Sequence, residues 1–259
     1  MKSNWCRMQV EATSRNLQYL YAVIDSTPEQ EWDVYGIDGH AVRSLTDGAV
    51  SAVVSDLSRS RIRPERRHLA AHRQVLERVM ARTSLLPLRF GTIADDAEAV
   101  RRILFLHQER FMTQLNRVAG SVEMGLQVSW DVPDIFEYFI EREPELRRLR
   151  DRYFGGQVRC TQQDKIQIGQ LFDQVLNEER DAGTRRVENA LVRTCVEIKR
   201  SACRNEREVM NLACLVERDT SDQFEAAVVE AARLFDDDFA FKQSGPWAPH
   251  NFVDLDLET

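Results

Sequence analysis

The chain has 259 residues, of which 43% are hydrophobic and 30% charged, and its net charge is −7. That balance is too apolar for a disordered chain and too charged for a membrane-embedded one. No run approaches the ~18 apolar residues of a membrane span, and the opening MKSNWCRMQVEATSRN lacks the apolar core of a signal peptide. The expectation is a cytoplasmic protein with a substantial core. Cys6, Cys160, Cys195, Cys203 and Cys214 are odd in number and show no CxxC spacing. They predict reduced thiols, neither a disulfide framework nor a zinc site. Charge is uneven. Residues 59–82 hold eight arginines against Glu65 and Glu77, whereas residues 217–259 hold eleven acids against three basic residues. Two solvated faces account for this. An acidic chain whose arginines are not interleaved with aromatics is not expected to bind nucleic acid.

Residues 1–16 are polar and aperiodic and read as a flexible extension. LQYLYAVID (17–25) reads as a buried strand. Two short strand-like pieces follow around the Asp38-Gly39 turn signal, and residues 49–57 form another strand. A helix is expected from about Glu65 to Arg82, with Leu69, His72, Leu76 and Val79 in one stripe. SLLPLRFGT then reads as a strand carrying Arg89 among apolar neighbours, and Pro87 favours a sheet edge. A single helix is expected to open with Asp95 as N-cap and to run through His107 to Val118. Residues 121–131 return as a strand, since Val122, Met124, Leu126, Val128 and Trp130 alternate strictly. This first half reads as an α+β domain of ferredoxin-like type.

The second half is richer in helix. Residues 132–156 form one helix or two, broken near Pro144 and ended by Gly155-Gly156. A long amphipathic stretch spans about Thr161 to Arg204, and Gly183 is a place for it to bend or split. REVMNLACLVER reads as a strand, and the next segment as a helix capped by Thr220 with Gln223 at N3. The chain closes with a strand, a Gly-Pro turn and a terminal strand or tail.

Little in this pattern resembles a reaction centre. His68 and His72 are four apart on a helix, but the residue after His68 is Leu69, not the glutamate of a zinc protease, and no third ligand is suitably spaced. Core histidines with their ring nitrogens hydrogen-bonded to a carbonyl or an acid are the simpler reading. Phosphate loops and the GxSxG elbow are absent. A Cys195 or Cys203 nucleophile working with His72 would require a depressed thiol pKa. Arg89 offers five donors to an anion, with an internal ion pair as the simpler alternative.

Several stretches, taken in order, resemble the gas vesicle protein F/L family (GvpF/GvpL). They are HRQVLERVM…SLLPLRFGT, VSWD (128–131), PELRRLRD, IQIGQLFDQVL, VMNLACLVERD…QFEAAV and SGPWAPHNFVDL, together covering roughly residues 18–256. The tail departs from the usual Gly-Pro-x-Pro-Tyr-x-Phe, with Ala248 and His250 in place of the expected types. The resemblance implies two α+β domains. One is ferredoxin-like over 17–131; the other, over 132–259, is a helix-rich modified ferredoxin-like domain with a C-terminal tail that wraps back. It further implies a gas vesicle accessory or minor structural protein, located at the vesicle in the cytoplasm, with no catalytic residue, cofactor or metal and no lipid-membrane partner. The implied partners are the small hydrophobic shell protein and other accessory proteins. Arg89, Trp247 and Phe252 are candidates to contact them, and the Pro87 edge and the helices of 161–204 are candidate surfaces. Trp130 reads as core. The alternative is a ferredoxin-like ligand-binding regulator that uses Arg89.

Overall fold

A computed structural model describes residues 16–154 and 161–255. They divide into two compact units: Gly120–Phe252 forms one, and the described residues on either side of it form the other. The predicted extension at the start, the Gly155-Gly156 stop, Cys6 and Cys160 lie outside the described residues.

The first unit opens with four consecutive strands, β1 (Leu17–Asp25), β2 (Glu31–Tyr35), β3 (Ala41–Asp47) and β4 (Val50–Leu57). Then come α1 (Arg66–Met80), β5 (Leu85–Pro87), β6 (Ile93–Ala94), α2 (Ala97–Leu106) and α3 (Gln108–Arg117). The sheet order is β2-β3-β4-β1-β5, with β6 also on β1, and every pairing is antiparallel. β1 is buried over eight of its nine residues, so it lies inside the sheet, as an almost unbroken apolar run should. A β-α-β-β-α-β unit would place a helix after the first strand; here the first helix follows the fourth.

Four local expectations shift. Leu69 of the predicted stripe is 46% exposed; His72, Leu76 and Val79 are buried as expected, and His68, Val75 and Met80 join them, so the buried face widens towards His68 and leaves Leu69 out. The helix expected over 95–118 breaks at His107, whose backbone leaves the helical region. Its N-cap is Asp96, not Asp95: Asp96 has the extended backbone of a cap, and its carboxylate accepts from Ala99 N at 2.7 Å. The strand expected over 84–92 contracts to Leu85–Pro87 at the sheet edge, where a residue without an N–H can sit.

The second unit runs β7 (Ser121–Trp130), α4 (Ile135–Arg142), α5 (Pro144–Phe154), α6 (Gln162–Leu191), β8 (Glu197–Ser201), β9 (Glu208–Glu217), α7 (Ser221–Ala232) and β10 (Phe239–Trp247). Its sheet order is β10-β7-β9-β8, antiparallel throughout. Alternation groups β7 with the strands before it, yet it is hydrogen-bonded between β9 and β10. Alternation reports a buried face and says nothing about which sheet receives the strand.

The stretch expected as helix to Arg204 stops at Leu191, and Glu197–Ser201 becomes edge strand β8. Pairing of Ile198 with Cys214 and Arg200 with Leu212 overrides a weak helical pattern there. Thr161 caps α6 in a reciprocal box with Asp164. Thr220 stands at the N-cap of α7, but its hydroxyl donates back to Glu217 O and no box with Gln223 forms. Arg180 of α6 ties down the turn before β9 by donating to the carbonyls of Glu208 and Asn205, each at 2.8 Å.

Gly183 neither bends nor splits α6. It lies where the helix meets β9: a Cβ there would reach Val209 Cγ1 at 3.4 Å and Phe235 Cε1 at 3.5 Å. One methyl group fits at ordinary contact, and a larger side chain does not. Gly183→Ala is therefore expected to raise stability by about 0.5–1 kcal/mol through helix propensity, and Gly183→Leu to lower it by roughly 1–3 kcal/mol through overpacking. Urea titration followed by far-UV circular dichroism checks both.

Candidate partner-binding surface

The two histidines of α1 are scaffold. His68 is buried, with Nδ1 2.9 Å from Arg63 O and Nε2 3.2 Å from Asp38 Oδ1. One ring thus joins the loop before α1 to the turn before β3. Asp38, at φ 54, also accepts from Arg59 at 2.7 Å. The Arg59 and His68 partners together hold its carboxyl below the usual range against the opposing cost of desolvation. His72 Nδ1 lies 2.9 Å from the Tyr19 hydroxyl, which also accepts from Gly91 N at 3.0 Å. Among the described residues no three His, Cys, Asp or Glu side chains are grouped to hold a metal ion. The Cys203 Sγ donates to Val209 O, and burial pushes its thiol pKa up, the opposite of what a nucleophile with His72 needs.

The three residues singled out for partner contact fare differently. Arg89 is not fixed on a strand among apolar side chains; it is exposed in the turn after β5, where its carbonyl accepts from Thr92 N and Oγ1. Pro87 ends the strand two residues before it. Trp247 is half-buried at the end of β10, opposite Glu123, and its indole N–H reaches Ser244 Oγ at 3.3 Å. Phe252 is fully buried, and the Lys199 ammonium stands 5.4 Å from its ring centre. It offers no aromatic face to a partner, because the tail is anchored at Asn251. That residue donates from its backbone N at 2.9 Å and from Nδ2 at 2.6 Å to the Glu123 carboxylate, and it accepts from Lys199 Nζ at 2.9 Å. Trp130 is core, as expected, at 3% exposure.

Sequence reasoning missed a groove in the second unit. Trp130, Phe139, Phe172 and Phe136 form a connected series of rings, with successive centroids 5.3, 5.7 and 4.0 Å apart. The series begins on the sheet and ends at Phe136, which stacks within 10° of parallel on Phe172 yet remains 48% exposed. Beside it lies a cavity of about 370 Å³ lined by Phe136, Ile140, Leu146 and Ile168, with Glu137 and Arg150 at its rim. Those two are an ion pair at 3.6 Å. Ile166, two residues before Ile168 on α6, is also exposed. An apolar trough between helices with a charged rim fits an apolar segment of another protein. The signal available in sequence was Phe136 and Ile140, apolar residues beyond the Ile135 and Phe139 that bury α4.

The Gas vesicle synthesis protein GvpL/GvpF family model matches residues 17–254, and the chain belongs to that family. Gas vesicle protein F of Streptomyces sp. (strain CB03234) is 29% identical over 91% of this chain and 99% of its own length. Gas vesicle protein L of the same strain is 27% identical over 92% and 93% respectively. The crystal structure of GvpF from Anabaena sp. PCC7120 matches with a TM-score of 0.82 at 23% identity, covering 93% of this chain and 99% of that one; this is a likeness of fold. The protein is thus gas vesicle-related and of mixed helix and sheet, and no described helix is long and apolar enough to cross a membrane.

Burial raises the Glu123 pKa above the ordinary carboxylate value, despite the opposing Asn251 donors and the Lys199 charge. A raised folded-state pKa means that the native state holds the proton more tightly. This contribution to stability is fully present below the unfolded pKa and is lost as pH rises through the folded one. The stability of the native chain relative to Glu123→Gln is therefore expected to fall as pH rises from about 4 towards neutrality, as urea midpoints over that range would show. Phe252→Ala should cost about 3–5 kcal/mol in the same assay.

Proposed function

We propose that this protein is a non-enzymatic accessory or minor structural component of gas vesicle assembly, acting in the cytoplasm and at the vesicle. It binds the small hydrophobic shell protein, in concert with other accessory proteins, and covers that subunit's apolar surface until it is incorporated. The observation that carries this reading is the apolar groove of α4, α5 and α6, whose exposed Phe136 gives a family member concerned with gas vesicles a place to hold an apolar segment. A shell that keeps water from a gas space needs apolar subunits, and such subunits aggregate when uncovered. The split β-α-β-β-α-β order of the second unit supports reading that unit as a modified ferredoxin-like domain. The four strands ahead of the first helix give the first unit no such support. The ligand-sensing alternative rests on Arg89, which is exposed in the turn after β5; the groove favours the first reading.

Co-expression with the shell protein of the same gene cluster tests the proposal. The shell protein should remain soluble and co-purify with the native chain. Phe136→Asp, on an exposed position, should leave the fold intact and reduce recovery of the shell protein at least tenfold, the equivalent of about 1.4 kcal/mol. Arg89→Ala should leave recovery unchanged, and Trp247→Ala should lower it only if the β10 end is a second contact. A shell protein that pellets alone beside a soluble native chain would overturn the reading.

A further inference from the structure

α4 turns Phe136 and Ile140 to the apolar groove and, on its opposite side, Tyr138 and Arg142 to a second cavity of about 440 Å³. Trp130, Phe139, Phe235 and Phe239 complete the aromatic wall of that cavity. Two guanidinium groups already lie on its rings: Arg142 stands 3.9 Å from the ring centre of Tyr138, and Arg186 stands 4.6 Å from that of Phe235. A ring face attracts a cation through its quadrupole. The remaining polar lining is acidic, from Glu143, Glu179 and Asp236. Arg142 pairs with Asp238 at 2.7 Å and lies 3.9 Å from Asp236. Glu143 and Glu179 have no ion-pair partner among the described residues. Aromatic faces beside uncompensated carboxylates suit a further guanidinium, which can stack and pair at once.

The chain itself carries such groups on the loop between β4 and α1. Arg59, Arg61 and Arg63 lie on this loop, Arg66 and Arg67 open α1, and all five are exposed. Arg59 is held by Asp38 at 2.7 Å and Arg67 by Glu65 at 2.9 Å. Arg61, Arg63 and Arg66 have no ion-pair partner among the described residues. The backbone that bears them is fixed. The Arg63 carbonyl accepts from Glu65 N at 2.7 Å and lies 2.9 Å from His68 Nδ1. His68 Nε2 reaches the same Asp38 carboxylate that holds Arg59. One buried histidine and one aspartate thus pin both ends of the segment from Arg59 to Arg63. A loop ordered in this way loses less entropy on association than a free one.

We propose that the arginine loop of one copy of this chain docks in the acidic aromatic cavity of a second copy. Charge complementarity carries the choice of occupant: the chain is −7 overall, and residues 59–82, with eight arginines against two glutamates, are its basic stretch. The contact repeats one the chain already makes, in which Arg142 lies on Tyr138 and pairs with Asp238. Arg61, Arg63 and Arg66 supply the guanidinium groups, and Glu143 and Glu179 supply the carboxylates. Opposite charges on the two surfaces steer the encounter and fix its register. Loop and cavity are different surfaces, so the contact is heterologous: each copy that docks leaves one loop and one cavity open, and association continues head to tail. The apolar groove takes no part and stays free.

Sedimentation of the full chain tests this. The weight-average mass of the native chain should rise with concentration at low salt and return to that of the monomer in about 1 M sodium chloride, where exposed charges are screened. Two variants each remove one surface: Arg61→Ala with Arg63→Ala and Arg66→Ala, and Glu143→Gln with Glu179→Lys. Either alone should weaken association at least tenfold. Mixed in equal amounts, they should form a species of two chains and nothing larger, because one retains only the cavity and the other only the loop. That pairing also shows that both variants are folded. A native chain that is monomeric at every concentration would overturn the proposal, as would association indifferent to salt or lost in only one of the variants. So would two variants that fail to pair, or a monomeric native chain whose cavity binds an oligoarginine peptide, which would assign the cavity to a basic partner of another kind.

Discussion

Burial of β7 and β9 is the constraint from which the second unit follows. These adjacent strands carry Val122, Met124, Leu126 and Val128 against Val216, Cys214, Leu212 and Met210 in register, and all eight side chains are buried. Such a face has to be covered along its length, and the 30-residue α6 does much of the covering. Gly183 stands where that helix meets Val209 and Met210, with room for one further methyl group at ordinary contact. Propensity discourages a glycine in mid-helix by about 1 kcal/mol; the packing here excludes a bulky side chain without requiring a glycine. The same covering layer brings Phe139 of α4 onto Trp130 and Phe172 of α6 onto Phe139, and Phe136 completes the series at the surface.

The first unit uses its polar groups to hold backbone in place. Tyr19 and Tyr21 are wholly buried on β1, and a phenol removed from water needs a partner. Tyr19 finds one in His72 and Gly91 N; Tyr21 finds Ser55 Oγ and Ile37 N, at 2.9 and 2.8 Å. Two of these bonds go to loop amides, so the strand side chains fix the turns on either side of the sheet. His68 does the same for the Arg63 loop through a carbonyl and a carboxylate. Histidines four apart on a helix are compatible with metal binding, and here both ring nitrogens of His68 and Nδ1 of His72 are committed to fold geometry.

What was readable in the sequence was the part decided by local periodicity. β1, β4 and β7 stand nearly where alternation and apolar runs placed them, and the break at Pro144 follows from the fixed backbone of proline. What was not readable depends on partners distant in sequence. Glu197–Ser201 is polar and helix-compatible, and only pairing with β9 makes it a strand. Phe252 sits in a motif with a turn signal and two prolines, which reads as exposed; its burial is set by Glu123 and Lys199 holding Asn251, and nothing near Phe252 encodes that. The groove likewise needs Phe136 and Phe172 to be brought together by two helices.

The groove has a property that bears on binding strength beyond its area. An exposed aromatic side chain that must be ordered on association costs about 0.5–1.5 kcal/mol of affinity. Phe136 is already held by its stack on Phe172, itself wedged against the buried Phe139. Its orientation is therefore set before any partner arrives, and the ordering cost has been met in folding. At the rim, the Glu137–Arg150 pair is solvent-exposed and contributes little to stability, so it can separate to meet polar groups that flank an apolar segment. A rigid aromatic floor with an adjustable charged edge discriminates by shape at the centre and tolerates variation at the margin. That combination suits one surface to apolar segments whose flanking residues differ.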